Sequence, residues 1–169
     1  MRHLKTLGPV PVLWDRWTLA NPFAPRLTLR QLLAAAAPQT ELMLDLKGGH
    51  PLLGPAVAAA LPAGLRVTIC SRSWRLLKSF ARRNDVRVVH SVGSSRQLRA
   101  LLRRFEGRVL DGISIHERLL DAETVAQLRR RADLLMSWPV NTVERARELV
   151  ALGVDGLISD DLTRIAGEA

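Results

Sequence analysis

The feature that most constrains how this chain can fold is a repeat of short, continuously apolar runs. They fall at residues 42–46, 67–70, 86–90, 112–116, 134–138 and 156–159, with a period of about 20–25 residues. A run with no polar alternation is buried on both faces, which is the situation of a parallel strand covered by helices. Between the runs lie segments with helical spacing and clear start signals. Ser94-Ser95 opens one with Leu98, Leu101, Leu102 and Phe105 on a single face; Asp121 opens another with Val125 and Leu128 inward. Thr142 starts a third that carries Val143, Ala146, Leu149 and Val150 and stops at Gly153. Each start residue has a side-chain oxygen that can accept from the free amides of the first turn. Strands alternating with helices predict right-handed βαβ units and a parallel sheet. An open doubly wound sheet and most of an α/β barrel both fit six strands. No Gly-x-Gly-x-x-Gly loop follows any strand, which weighs against a dinucleotide fold.

The length, 169 residues, predicts a single domain over 1–169 with no internal linker. It is short of the roughly 200–250 residues of a complete eight-stranded barrel. A hydrophobic share of 47% against 24% charged residues excludes a disordered chain. No apolar stretch approaches the length of a transmembrane segment, and the N-terminus lacks the apolar core of a signal peptide, so a cytoplasmic location is expected. The net charge of +9 raises the question of an anionic partner. The arginines, however, recur at intervals along the helical segments: Arg72, Arg75, Arg82 and Arg83, then Arg96, Arg99, Arg103 and Arg104, then Arg129 to Arg131. That is the pattern of solvated helix faces rather than of a nucleic-acid surface, and with no Tyr and few aromatics near the arginine runs, stacking on single strands is poorly supported. Cys70, the only cysteine, lies in an apolar run and reads as a small core residue.

In an α/β barrel the working residues sit at the C-terminal ends of the strands. The first run ends Asp45-Leu46-Lys47, and two residues apart on a strand means one shared face. A carboxylate and an ammonium there need each other or a ligand. Two readings stand: an ion pair closing the strand, or a carboxylate for a divalent cation with a lysine that neutralises phosphate. Ser137-Trp138-Pro139-Val140-Asn141 offers either a pocket wall or a buried Trp before a helix cap. His90 and His116 both end strands, Ser114 shares the face of His116, and either histidine is a site residue or a locally bonded one. Arg72, just past the second run, is a candidate phosphate contact. Asp160 reads as a cap for the closing helix.

These strand ends resemble the glycerophosphodiester phosphodiesterases. Ser137-Trp138-Pro139-Val140-Asn141, then Leu152-Gly153-Val154-Asp155-Gly156-Leu157-Ile158-Ser159-Asp160, is similar to that family's closing Trp-x-x-Asn, helix, Gly-Val-Asp-Gly-Ile and Asp. Leu42-Met43-Leu44-Asp45-Leu46-Lys47 resembles its third strand, and Thr28-Leu29-Arg30-Gln31-Leu32-Leu33 the helix before it. The resemblance runs from about residue 3 to 165. It implies a barrel, a Ca²⁺ or Mg²⁺ ion, and hydrolysis of a glycerophosphodiester to an alcohol and glycerol 3-phosphate. It implies Asp45 as metal ligand, where the family usually has Glu, and Lys47 as phosphate contact. His3 matches the family's second histidine by position, without the Asp that follows it there. The resemblance implies that Trp138 walls the substrate pocket; Asn141, His116 and Arg72 are candidate substrate contacts by their positions at the strand ends.

The family's His-Arg motif and Glu-x-Asp strand, which belong to strands one and two, do not precede residue 3. The expected fold is therefore an incomplete (β/α)8 barrel of about six strands, its first two missing. Three explanations are open: a start upstream of Met1, a second copy of the chain closing the gap, or a non-catalytic relative that binds anionic phosphate headgroups. The first is favoured.

Overall fold

The computed structural model describes residues 3–7, 10–14, 23, 27–37, 39–161, 163 and 165, without the side chains of 3–7, 10 and 12–14. It begins with β1 (His3–Leu7) and β2 (Val10–Trp14), paired antiparallel with His3 opposite Trp14 and Leu7 opposite Val10. Helix α1 (Leu29–Ala35) leads into β3 (Leu42–Asp45), and α2 (Leu53–Ala60) into β4 (Val67–Ser71). A 3-10 helix (Trp74–Phe80) precedes β5 (Val86–Val92), and α3 (Ser95–Arg104) precedes β6 (Gly112–His116). The turn Glu117–Leu119 and α4 (Ala122–Arg129) lead to β7 (Leu135–Trp138), and α5 (Val143–Ala151) to β8 (Gly156–Leu157).

The parallel strands follow one another in chain order from β3 to β8, with a helix or 3-10 helix in every crossover. A doubly wound sheet needs a point at which the strand order reverses. None occurs among the described strands, and the unbroken succession is that of an α/β barrel with six of its strands present, an incomplete (β/α)8 barrel. The strands lie where the apolar runs predict them, to within two residues at either end. The β1–β2 pair goes beyond what the sequence predicts: its second strand contains Pro11, which argues against a strand, and no long apolar run marks it.

By its contacts the chain divides into two compact units, Met1–Val88 and Val89–Ala169. In the first, Leu44, Leu46, Val67 and Ile69 of the strands bury against Leu29, Leu53, Val57 and Phe80 of the helices. Strand alternation then turns Met43, Asp45 and Lys47 to the opposite face, together with Thr68 and Cys70. Helix α1 starts with a capping box in which Gln31 N–H donates to Thr28 Oγ1 (3.2 Å) and Thr28 N–H to Gln31 Oε1 (2.9 Å).

Arg83 holds the end of α2, donating to the carbonyls of Ala58, Leu61 and Pro62 and to both oxygens of Asp85. That guanidinium, working against desolvation and helped by Gly64 N–H, holds the Asp85 carboxyl well below the usual carboxylate range. A depressed folded-state pKa contributes stability above the unfolded value near 4 and loses it as the pH falls through the acid range. Asp85→Asn is therefore expected to lower the melting temperature at pH 7, with the gap from wild type closing as the pH is taken from 4 towards 2. A gap independent of pH would contradict the assignment.

In the second unit the ladder rows are set by register: Ser91, Ser114 and Met136 lie abreast, as do Val92, Ile115, Ser137 and Leu157. The helices start at Ser94, Asp121 and Thr142, each accepting from the third residue after it. Gly153 ends α5 with a φ of +96°, a conformation that costs glycine nothing. Ser137 is fully buried and its hydroxyl has no hydrogen-bond partner among the described residues. Burying an unpaired hydroxyl costs about 1–3 kcal/mol. Ser137→Ala is expected to raise stability by about 1 kcal/mol in urea unfolding, once the small void it leaves is allowed for. A destabilised variant would show that the hydroxyl has a partner.

Candidate active site

In the first unit the chemistry gathers at the end of β3. Lys47 Nζ lies 2.5 Å from Asp45 Oδ2, and both side chains are about one-fifth exposed (22% and 19%). Asp45 stands opposite Cys70 on β4. Burial, and next the charge of Asp45 and a hydrogen bond to it, push the Cys70 thiol well above its ordinary value. Cys70 therefore stays a thiol beside Asp45. It is the core residue expected, with a neighbour that only the register reveals. Arg72 follows two residues after Cys70 and is exposed. The loop after β3 is held by Arg75, which donates to the Gly49 carbonyl, and by His50 Nδ1, which accepts from Leu52 N–H at 3.3 Å. Gly48 turns that loop at φ +91°.

The side chain of His3 lies outside the described residues, so its sequence match is neither placed nor displaced. The expected Ca²⁺ or Mg²⁺ ion has one candidate ligand here, Asp45, already paired with the Lys47 ammonium. These cations take six or more oxygen ligands, and among the described residues no three His, Cys, Asp or Glu side chains come together to hold one. The described residues do not make up the metal site.

The second unit brings His116 and Trp138 together. They are neighbours across β6 and β7, with ring centroids 4.9 Å apart and planes inclined at 60°. Ser114 and Ser91 occupy the row beneath them on the same face, buried. Nδ1 of His116 accepts from the Arg118 N–H at 3.3 Å, so Nδ1 carries a lone pair and the ring proton sits on Nε2. His90 is on the other face. It meets Phe105, the residue that ends α3, edge-on at 4.7 Å, and burial holds its imidazole down at about 4. His90 is thereby a neutral packing residue.

Asn141 ties two loops. Its Oδ1 accepts from Ser159 Oγ and from Asp160 N–H, both at 3.1 Å, while Thr142 caps α5. Asp160 takes part through its amide; the helix that the sequence expects it to cap includes residues outside those described. Asp155 is an anchor: it accepts from Leu135 N–H at 2.7 Å and pairs with Arg129, stitching the approach to β8 onto β7. The aspartate in Gly-Val-Asp-Gly thus has a structural reason to be there. Among the described residues the arginines are mostly solvated as predicted, Arg83, Arg131 and Arg145 being the partly buried exceptions.

No protein-family model and no curated protein matches the chain. Solved structures do. A phosphodiesterase from Oleispira antarctica, in complex with the product sn-glycerol-3-phosphate, superposes with a TM-score of 0.77 at 16% identity, over 98% of this chain and 82% of that one. A glycerophosphodiester phosphodiesterase from Thermotoga maritima gives 0.76 at 13% identity, over 94% and 80%. One from Parabacteroides distasonis gives 0.69 at 17%, over 94% and 78%. This chain shares its fold with these phosphodiesterases.

Proposed function

We propose that this chain, which has the fold of glycerophosphodiester phosphodiesterases, is a phosphoric diester hydrolase that cleaves glycerophosphodiesters to an alcohol and glycerol 3-phosphate. The observation that carries the reading is the Lys47–Asp45 pair at the C-terminal end of β3, where barrel enzymes keep their working residues. Phosphodiester hydrolysis adds water oxygen to phosphorus and breaks the bond to the alcohol oxygen, and the alcohol leaves with a proton. Negative charge builds on the phosphoryl oxygens along the way, and a fixed ammonium stabilises it. Asp45 holds Lys47 for that task. His3 is the residue proposed to move the proton, on its match to the family's second histidine. Arg72, Trp138, His116 and Asn141 are proposed substrate contacts. The relative that carries sn-glycerol-3-phosphate supports the choice of product.

Ca²⁺ or Mg²⁺ enters the proposal only as a cation that Asp45 would hold together with ligands from outside the described residues. A cytoplasmic location, and a second copy as one way of closing the barrel, belong to the same proposal. No helix of the described residues is long and apolar enough to cross a membrane. The test is enzyme-coupled detection of glycerol 3-phosphate from a glycerophosphodiester, with Ca²⁺, with Mg²⁺ and with chelator. Activity lost on Asp45→Ala supports the hydrolase. A folded, inactive chain that still binds glycerol 3-phosphate would point instead to a non-catalytic binder of phosphate headgroups.

A further inference from the structure

Directly after β6 comes a turn that another element holds in place. Arg145 of α5 has only 21% of its side chain exposed. Its Nε donates to Glu117 Oε2 at 2.9 Å, and its Nη2 donates to the carbonyls of Glu117 at 2.5 Å and Leu120 at 3.0 Å. Its Nη1 pairs with Glu148 at 2.6 Å. Burial is the largest single influence on the guanidinium and works against its charge; hydrogen bonds to Glu148 and Glu117 outweigh it. Three of these contacts end on residues 117 and 120, which bracket Arg118. The Arg118 amide is the donor that fixes Nδ1 of His116 as an acceptor.

We propose that Arg145 is a positioning residue for His116, holding the 117–120 turn so that the Arg118 amide sets the tautomer and ring plane of the histidine beside Trp138. The planar fork matters because one group must reach a carboxylate and two carbonyls at once, which a lysine ammonium on a single-point stem does not do. The turn's own hydrogen bond, Leu120 N–H to Glu117 C=O at 3.1 Å, closes it but does not anchor it to the rest of the unit. The consequence for catalysis rests on His116 being a substrate contact of the proposed hydrolase. The positioning itself does not.

The experiment is long-range proton–nitrogen correlation of the histidine rings in the full chain, labelled with ¹⁵N-histidine, at pH 8. Wild type is expected to show His116 protonated on Nε2, with a ring-current shift from Trp138. In Arg145→Ala the ring is expected to average between tautomers and the Trp138 shift to shrink. Glu148→Ala, which removes only the 58%-exposed partner, should leave both signals as they are. If Arg145→Ala does not fold, Arg145→Lys carries the same expectation. A folded Arg145→Ala or Arg145→Lys with wild-type His116 signals would overturn the proposal, as would the same change from Glu148→Ala. On a glycerophosphodiester, kcat/KM of the Arg145 variant should fall roughly tenfold or more, since small misplacements of contacting groups cost that much. A changed tautomer in a chain whose wild type shows no hydrolysis would leave the positioning standing and sink the functional reading alone.

Discussion

Replacing Lys47 with alanine is expected to lower kcat/KM for a glycerophosphodiester by about 10²–10³-fold, the usual cost of removing one preorganised charge stabiliser. The loss should fall on kcat more than on KM, because charge on the phosphoryl oxygens grows as the reaction proceeds. Lys47→Arg keeps a cation but replaces a compact ammonium with a planar fork, and should recover part of the rate. The pair's partly buried setting decides between chemistry and mere structure. A partly buried ion pair adds little net stability, because desolvating both charges offsets their attraction. Removing Lys47 alone, however, leaves the Asp45 carboxylate partly buried without its ammonium, which costs stability, so kcat is compared on protein shown to be folded by circular dichroism. A folded Lys47→Ala with wild-type kcat would mean that the pair only closes the strand.

The largest effect on stability is expected at Gly54. Helix α2 crosses the 3-10 helix so closely there that a Cβ would stand 2.6 Å from the Leu76 carbonyl oxygen and 2.8 Å from Ser79 Oγ. Alanine in place of glycine would favour the helix by about 1 kcal/mol. The clash acts the other way and involves backbone, which cannot swing aside as a side chain would. Overpacking of this kind costs about 1–3 kcal/mol or more, so Gly54→Ala is expected to destabilise by about 2 kcal/mol net. For a chain of this size that is a melting temperature lower by roughly 4–8 °C. An unchanged or raised melting temperature would mean that the two helices are not in such close contact.

Much of this architecture is legible in the order of the amino acids. Six continuous apolar runs become six parallel strands because burial on both faces leaves no room for alternation. Ser94, Asp121 and Thr142 start helices because their oxygens satisfy amides in the residues just after them. The Asp45–Lys47 pair is legible because a spacing of two fixes a shared face. What escapes the sequence depends on register and on contacts between distant elements. Cys70 looks like filler until β4 is seen to set it opposite Asp45. His90 and His116 look alike as strand-end histidines, but one more or one fewer residue of strand sends the ring to the helix side or away from it. Arg145 reads as one more solvated arginine because Glu117 and Leu120 lie more than twenty residues away. Asp155 reads as family pattern until Leu135 N–H is found on it. The crossover after β4 forms a 3-10 helix where the sequence shows only a helical stretch of arginines and leucines.

The most direct measurement of the central claim is ³¹P NMR of a glycerophosphodiester incubated with the purified chain, in ¹⁸O-enriched water. Hydrolysis at phosphorus predicts that the diester resonance gives way to glycerol 3-phosphate whose signal carries the isotope shift of one ¹⁸O on phosphorus, and that Lys47→Ala slows this conversion. A folded chain that leaves the diester intact with Ca²⁺ or Mg²⁺ present would contradict the account.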